Sequence, residues 1–296
     1  MMAPEYYTFT GQRVPDHVTH VRIDRALKFV PARSFLVHPN IEEVICHDGV
    51  AKIEEEAFKG CPSLRRVIMP GVAVLEKCAF CVHVSMTVGI NCCGALTYIE
   101  CDKLESIGEY AFSGCKSLRS VNMPSAATVM RAAFAGCRNL THASFGKNLE
   151  SLGALAFHNC RSLKRIALPL RDGIITDDDV FRGCEKLNQV DLVGGVDEIV
   201  AALLLEEWKN DTNEEIDTIN RILPNTPYGT IRYDDPGGKA QAIQSWTRSV
   251  LRKVIHYKAE HRRYLNMAAA LEPALPNDIV LNNILPFLAY TLGEED

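Results

Sequence analysis

A short string that recurs along the chain is the feature that most constrains its fold. Residues 109–124 read EYAFSGCKSLRSVNMP, and close variants of this string occur five more times. The phenylalanines that anchor the repeat follow one another at steps of 23, 22, 32, 22, 23 and 24 residues, and they are Phe35, Phe58, Phe80, Phe112, Phe134, Phe157 and Phe181. A period of this length predicts a solenoid of stacked coils, in which no single unit can bury its apolar face alone.

The one irregular step, of 32 residues, predicts an insertion. A cysteine follows the phenylalanine three residues later in most units, at Cys61, Cys115, Cys137, Cys160 and Cys184. After Phe80 the equivalent cysteine is Cys93, thirteen residues on, so about ten residues at 81–90 (CVHVSMTVGI) are extra. Because the insertion is apolar, we expect it to fold back on the adjacent coil or to form a contact surface.

The apolar residues of each unit predict one short strand. A Leu or Ile comes three residues after the cysteine, and two further apolar residues follow at spacings of three and two, as in Leu118, Val121 and Met123. Side chains two positions apart share one face of a strand. A further apolar residue, at Leu75, Ile107, Met130 and Leu152, then leads to an Ala-Phe pair that we expect on a single helical turn. The period and this layout favour a leucine-rich-repeat solenoid with a parallel sheet.

The consensus xxAFxxCxxLxxVxxP, preceded by an element such as LESIG at 104–108, resembles the BspA-like leucine-rich repeat. The N-terminal stretch at 10–24 and the tail segments at 203–227, 256–265 and 278–288 resemble members of this family from microalgae. The resemblance covers nearly the whole chain. It implies an α/β leucine-rich-repeat solenoid with a parallel β-sheet on one face, capped by a C-terminal α-helical region. It brings no established catalytic residues and no agreed substrate.

The repeat ends near Leu192, and a helical tail is predicted to follow. The expected division is a solenoid over 1–193, with about seven repeats of 22–24 residues, and a helical cap over 194–296. We expect helical structure over 197–223, with Asp211 or Thr212 capping a second helix, and a longer helix over 239–267. The apolar stripe of the longer helix is Ile243, Trp246, Val250, Val254, Tyr257, His261 and Leu265.

Charge predicts how the tail helices associate. Residues 197–217 hold eight acids and one base (net −7), whereas residues 239–263 hold seven bases and one acid (net +6). Helices of opposite charge are expected to pack on each other. The tail as a whole is expected to cap the open end of the stack, as terminal units of solenoids must.

Composition excludes several classes of function. The formal net charge of −5 argues against a general binder of nucleic acid or of anionic membranes. The chain shows no secretory signal and no run of 18 apolar residues that could span a membrane. Its eleven cysteines are an odd number, which favours reduced thiols in the cytoplasm, or in the nucleus. We therefore expect a monomer with no metal, no cofactor and no disulfide.

One cysteine-rich region permits a second interpretation. A zinc site could be built from Cys78, Cys81, His83, Cys92 and Cys93. However, Cys93 is the cysteine of the repeat and Cys78 lies just before the Ala-Phe pair of the same turn, so packed thiols are favoured over a metal site. Disulfides between the repeat cysteines are disfavoured for the same reason.

Three segments of the tail permit other interpretations, and each is the weaker one. The string YDDPGGKA at 233–240 places Gly-Gly-Lys before a helix, but a phosphate loop needs Ser or Thr where Ala240 stands. A basic set could contact phosphates but is more often solvated or paired with acids; it comprises Arg248, Arg252, Lys253, Arg262 and Arg263. Residues 276–288 resemble the first helix of an F-box, but only eight residues follow them.

The surface with the best prospect of function is the outer face of the predicted sheet. Its positions alternate with the buried ones and form the pairs His20/Arg22, Glu43/Ile45, Arg66/Ile68, Tyr98/Glu100, Ser120/Asn122, His142/Ser144, Arg165/Ala167 and Gln189/Asp191. Tyr and Arg are the residue types that most often anchor protein interfaces. The candidate partner-binding residues are therefore Arg66, Tyr98, Glu100, His142 and Arg165.

Three functions remain open at this point. The first is a non-catalytic scaffold that binds another protein, whose identity the sequence does not reveal. The second is an adaptor whose helical tail docks to a larger assembly while the repeats bind a target. The third is an enzyme, for which the sequence offers no catalytic motif.

Overall fold

The structure is a computed structural model that describes residues 4–81, 93–194, 196–203, 205–227 and 238–271. The described residues fall into two compact units. The first comprises the residues up to Gly194 together with Ile219–Ser245, and the second comprises the rest. The predicted division into a solenoid over 1–193 and a helical cap over 194–296 stays a prediction.

The described residues form fifteen short strands and three α-helices. The strands are β1 (Tyr7–Phe9), β2 (His20–Ile23), β3 (Phe29–Val30), β4 (Glu43–Ile45), β5 (Lys52–Ile53), β6 (Arg66–Ile68), β7 (Val74–Leu75), β8 (Tyr98–Glu100), β9 (Ser106–Ile107), β10 (Ser120–Met123), β11 (Thr128–Val129), β12 (His142–Phe145), β13 (Ser151–Leu152), β14 (Arg165–Pro169) and β15 (Gln189–Val193). The helices are α1 (Val196–Ala201), α2 (Glu206–Ile222) and α3 (Gly238–Leu271), with a 3₁₀ turn at Leu223–Asn225.

The coils stack through parallel strands, as the repeat predicts. The sheet expected on one face is present in two hydrogen-bonded parts, in the orders β1-β2-β4-β6-β8 and β10-β12-β14-β15. Where the ladder is interrupted, the Cys101 sulfur lies 4.0 Å from the carbonyl oxygen of Asn122. A further sheet, which the sequence did not predict, has the order β13-β11-β9-β7-β5-β3 and consists of two-residue strands.

The phenylalanine column is the centre of the core. Each anchor ring is at most 1% exposed, and from Phe35 to Phe181 neighbouring rings stack with centroids 4.7–5.8 Å apart. Phe80 and Phe112 are adjacent at 5.3 Å although they are 32 residues apart in sequence. The alignment that treats the long step as one repeat plus an insertion is therefore confirmed. The column also extends to Phe9, whose ring lies 4.7 Å from that of Phe35.

The repeat cysteines have a polar role beyond packing. Each donates its thiol hydrogen to the phenylalanine carbonyl of the preceding coil, for example Cys137 Sγ to Phe112 O at 3.2 Å. The same bond forms from Cys61, Cys93, Cys115, Cys160 and Cys184 at 3.0–3.8 Å. A thiol is small, apolar and a weak donor, which suits a buried position facing a carbonyl. None of the ten described cysteines forms a disulfide.

The Ala-Phe pair lies in a tight turn rather than in the expected helical turn. The residue two before the anchor has a positive φ in six coils, as at Ala132 (52°), and a right-handed helix cannot accommodate this conformation. The residue two after the anchor is also left-handed; it is Gly136 (φ 72°) in one coil and Val37 (φ 57°) in another. Glycine is the residue that suits such a position, so Val37 is strained.

In one coil, the sequence analysis places the apolar residue before this turn one position too late. Met130 was expected to be buried, but it is 44% exposed, and Val129 takes the inward position on β11 at 1% exposure. The register shows why, because Val129 pairs with Ile107 on one side and Leu152 on the other. Each of these residues is five positions before its phenylalanine, and Met130 is four before.

Residues of the tail cap the open end of the stack, as expected. These capping residues belong to the first compact unit. The Val190 amide, which has no further coil beyond it, donates to Asn220 Oδ1 at 2.9 Å. Gln244 Nε2 donates to the carbonyl oxygen of Ile175 at 3.0 Å. The Lys239 ammonium donates to the carbonyl oxygen of Leu187. Side chains thus replace the backbone partners that a next coil would supply.

Within the second unit, α2 and α3 pack through opposite charges, as predicted. Lys253 Nζ lies 2.9 Å from Asp211 Oδ1 and 3.3 Å from Glu215 Oε2. The Tyr257 hydroxyl donates to Asp211 Oδ2 at 2.6 Å. Trp208 stacks on Tyr257 with ring centroids 5.2 Å apart.

Two details of the predicted tail helices are wrong. The proposed cap at Asp211 or Thr212 lies inside α2, because the Thr212 hydroxyl bonds back to the Trp208 carbonyl at 2.7 Å and lets the helix continue. The stripe of α3 ends at Tyr264 (4% exposed) rather than at Leu265 (48% exposed). Tyr264 takes the inward position because its ring packs 5.6 Å from Trp208.

Two predictions lie on residues outside those described, namely the insertion at 81–90, of which only Cys81 is described, and the F-box-like stretch at 276–288. Within the part of the chain that the structure describes, no helix combines the length and apolar character needed to cross a membrane.

Candidate functional site

The candidate site is the outer face of the two-part sheet, called the front face below and defined by the eight residue pairs given above. The strands place these pairs in the predicted register, with Arg66 between Glu43 and Tyr98, and Arg165 between His142 and Gln189. The residues between them are buried, as at Val67 and Ile166, except for Ile99 on β8, which is half-buried. Burial of alternate residues therefore fixes the outward direction of the front-face side chains.

Three of the five candidate residues are joined in the larger part of the sheet. Arg66 Nε lies 3.2 Å from Glu43 Oε1, and its guanidinium carbon lies 4.9 Å from the centroid of the Tyr98 ring. The Tyr98 hydroxyl donates to Glu100 Oε2 at 3.3 Å. These contacts link four side chains across three strands. Each is worth only about 0–1 kcal/mol at an exposed site, so the result is fixed orientation more than stability.

An aromatic residue that the sequence analysis missed extends this group. Tyr6 donates its hydroxyl hydrogen to Glu43, its ring lies 5.4 Å from that of His20, and the Arg22 guanidinium carbon lies 4.9 Å from its centroid. The hydrogen bond to Glu43 is the main reason why the pKa of Tyr6 is raised. Tyr6 precedes the first complete repeat, so no repeat pattern pointed to it; pairing of β1 with β2 brings it to the front face.

The other two candidates lie in the smaller part of the sheet and are not bonded to each other. Arg165 forms an ion pair with Asp191, which also accepts a hydrogen bond from Gln189 at 3.1 Å. His142 is a register partner of Arg165, but its Nδ1 contacts the Thr141 hydroxyl at 2.9 Å. The candidate residues thus form two groups rather than one site.

The Thr141–His142 pair does not have the geometry of a nucleophile and its base. The Thr141 hydroxyl donates its only hydrogen to the Arg119 carbonyl at 2.9 Å. It therefore accepts from the histidine ring, which leaves no proton for a base to remove. The pair orders the turn before β12 and offers no catalytic nucleophile.

A basic edge borders the smaller part of the sheet. The sequence analysis did not identify it. In three successive coils the segments 115–122, 137–144 and 160–167 carry six Lys or Arg residues and no Asp or Glu. All six are exposed; they are Lys116, Arg119, Arg138, Arg161, Lys164 and Arg165. In a chain of net charge −5, this is a local concentration of positive charge.

The cysteine-rich region contains a thiol pair. The interaction between the Cys78 and Cys81 thiols lowers the pKa of Cys78 and raises that of Cys81. Two of the proposed zinc ligands, His83 and Cys92, lie outside the described residues. Among the residues that are described, no three His, Cys, Asp or Glu side chains form a group that could hold a metal ion.

Comparison with known proteins agrees with the repeat. A family model described as "BspA type Leucine rich repeat region" matches six copies over residues 7–87 and 89–204. No curated protein sequence matches the chain.

Three solved structures illustrate the similarity. The leucine-rich-repeat protein TpLRR of T. pallidum is 19% identical, with 71% of this chain and 82% of that chain covered and a TM-score of 0.37. The pneumococcal vaccine antigen PcpA is 15% identical, with 64% and 40% covered and a TM-score of 0.40. A leucine-rich-repeat protein of Bacteroides ovatus is 18% identical, with 64% and 69% covered and a TM-score of 0.28.

Proposed function

Because the chain belongs to the BspA-type leucine-rich-repeat family, whose repeats are generally protein-interaction scaffolds, we propose that it is a non-catalytic, monomeric scaffold that binds another protein through its front face. The observation that carries this proposal is the linked group of Glu43, Arg66, Tyr98 and Glu100. Their side chains are held by one another and by strands whose alternate residues are fully buried in β4 and β6 (Val44 and Val67) and half-buried in β8 (Ile99).

Preorganisation favours this face for binding. Ordering a long side chain at an interface costs about 0.5–1.5 kcal/mol, and here part of that cost is met before a partner arrives. Tyr98 is 46% exposed although it is ordered by two neighbours, so a large aromatic surface remains for contact. Tyrosine and arginine in such a setting are typical interface anchors.

The charge of the basic edge favours an acidic partner. Lys116, Arg119 and Arg138 are exposed and lie beside the front face on successive coils. A partner that covers this side of the sheet is expected to present an acidic segment, because opposite charge speeds association and like charge would oppose it. Binding should therefore weaken as the salt concentration rises.

Affinity capture with matched surface variants tests the proposal. The full-length protein and the double variant Arg66→Ala/Tyr98→Ala would be used to capture partners from cells of the source organism. The control is Arg33→Ala, which also removes an exposed arginine paired with an acid of the next coil (Arg33 Nε to Glu56 Oε2, 2.8 Å) but lies away from the front face. Partners lost from the double variant and kept by the control support the proposal. Equal capture by all three proteins contradicts it.

The adaptor hypothesis is the alternative, and one observation favours it. Ile255 and Leu265 on α3 are 64% and 48% exposed, which is unusual for large apolar side chains of a long helix. A truncation near Leu192 would not separate the two functions cleanly, because it also removes Asn220 and Lys239, which cap the last coil. The substitutions Ile255→Ser and Leu265→Ser leave the cap intact and are the better test.

A further inference from the structure

A cavity of about 270 Å³ lies at the last coil, within the first compact unit. Its lining includes three lysines, Lys164, Lys186 and Lys239, together with Glu185 and Pro224. Lys164 also belongs to the basic edge, but neither the repeat nor the front face accounts for three lysines lining one cavity. The inference below goes beyond the proposed function and does not rest on it.

Lys239 is the unusual member of this group. Its side chain is 3% exposed, and its ammonium group donates to the carbonyl oxygen of Leu187 and, at 3.5 Å, to that of Glu185. No carboxylate among the described residues lies within ion-pair distance of it. An ammonium group has three donors, so capping the coil leaves one donor and the whole charge without a counterpart. Burial of a charge without a counter-charge is costly, and it lowers the pKa of Lys239.

The surroundings of Lys239 add positive potential. Lys164 and Lys186 are exposed at the same cavity. Helix α3 begins at Gly238, so the positive end of its dipole adjoins Lys239. The single acid of the lining, Glu185, lies 3.6 Å from Arg161 and is thereby partly neutralised. The lining thus combines three lysines and an adjoining helix N-terminus with one partly compensated carboxylate.

We propose that this cavity binds a small, doubly charged oxyanion with the chemistry of phosphate. Such an anion supplies the missing counter-charge to Lys239 and can accept its remaining hydrogen bond, while Lys164 and Lys186 contact its outer oxygens. A monovalent carboxylate would balance less of the charge. The site is distinct from a nucleotide-binding phosphate loop, because Ala240 stands where such a loop has Ser or Thr. The proposed ligand can be a free phosphate ion or a phosphate group carried by another molecule, because both have this chemistry.

Calorimetric titration of the full-length protein with inorganic phosphate tests the site. Acetate and chloride at equal ionic strength show whether charge and shape matter, and a phosphoserine peptide shows whether the phosphate can be carried by another molecule. We expect saturable binding of phosphate, much weaker binding of acetate and none of chloride. Bound phosphate should also raise the melting temperature with increasing concentration.

Matched lysine variants locate the binding. Lys164→Gln and Lys186→Gln change exposed side chains and should each weaken phosphate binding about tenfold, which corresponds to about 1.4 kcal/mol. Lys103→Gln, at an exposed lysine that does not line the cavity, should bind like the wild type. Lys239→Met should abolish binding; if that variant fails to fold, the two exposed variants still decide. Absence of saturable binding by the wild type, or equal affinity in Lys164→Gln, Lys186→Gln and Lys103→Gln, overturns the proposal.

Discussion

Replacing Phe112 with alanine should lower the free energy of unfolding by about 3–5 kcal/mol, the usual cost of truncating a buried phenylalanine. Phe112 is fully buried, and its ring stacks between those of Phe80 and Phe134 at 5.3 Å on each side. Each stacked pair contributes about 0.5–1.5 kcal/mol beyond burial, so the loss of two pairs places the effect in the upper half of the range.

The cost should be large because the site cannot collapse. The backbone is tied to the coils on both sides, since the Phe112 amide donates to the Ala133 carbonyl of the following coil and the Ala111 carbonyl accepts from the Phe80 amide of the preceding coil, each at 2.8 Å. The neighbouring coils therefore cannot move in to fill the cavity that alanine leaves.

Urea denaturation followed by circular dichroism measures the change in Phe112→Ala. The control is Phe29→Ala, because Phe29 is 44% exposed on β3 and its truncation should cost less than about 1 kcal/mol. If Phe112→Ala melts within a degree of the wild type, or if the two variants lose equal stability, the phenylalanine column does not form the core and the reasoning is wrong.

Four further predictions address the turns, the thiols and the helical tail. Cys137→Ala should cost about 1–2 kcal/mol in urea denaturation because a buried sulfur is removed and the Phe112 carbonyl loses one of its two donors, the other being the Cys115 amide at 3.1 Å; Cys137→Ser, which keeps a donor, should cost less, and equal losses would contradict a role for the hydrogen bond. Val37→Gly should raise the melting temperature, with a gain of about 1 kcal/mol from relief of a left-handed backbone at a 57% exposed side chain, and a loss of stability would show that Val37 is not strained. Burial alone would raise the pKa of Asp211, but hydrogen bonds from Tyr257 and Lys253 outweigh it and hold the pKa below its ordinary value. The resulting stability is present above the unfolded-state pKa of about 4 and is lost as the pH falls through the folded-state pKa; Asp211→Asn should therefore reduce the difference in unfolding free energy between pH 7 and about pH 3, and an unchanged difference would contradict the pairing. Thiol titration in denaturant should find eleven reactive cysteines and elemental analysis no zinc, whereas one zinc per chain, lost on Cys78→Ser, would restore the metal site.

The register of the solenoid could be predicted from the sequence because three chemically distinct columns repeat together. Aligning the phenylalanines also aligns the cysteines and the leucines, so an error in one column would have been visible in the others. This is why Phe80 and Phe112 could be placed in contact across 32 residues. Any single column would have left the position of the insertion ambiguous.

The six-stranded sheet could not be predicted in the same way. Its strands are two residues long, and two residues are too few for an alternating pattern to emerge. The same shortness explains the choice of Met130 over Val129, since both are apolar and only the pairing with Ile107 separates them.

In the tail, prediction from the sequence was limited for a different reason, because contacts between helices decide which residues are buried. Thr212 resembles a helix cap in sequence, and only its bond to the Trp208 carbonyl shows that it lies inside α2. Tyr264 and Leu265 are equally plausible ends of an apolar stripe until the Trp208 ring selects Tyr264. Tyr6 and the lysine-lined cavity were missed because their residues lie far apart in sequence or outside the repeat.

Photo-crosslinking in living cells tests the central claim, that the front face binds the partner, most directly. A photoreactive phenylalanine analogue would be placed at Tyr98 or Asn122 on the front face, at Met130 on the turn side, and at Ile255 on α3. All four positions are exposed, so the analogue is accessible at each of them and reacts with water where no partner is bound. We predict adducts with the same protein from Tyr98 and Asn122 and none from Met130 or Ile255. Adducts from Ile255 alone would favour docking through the helical tail, and equal adducts from all four positions would contradict a specific front-face interaction.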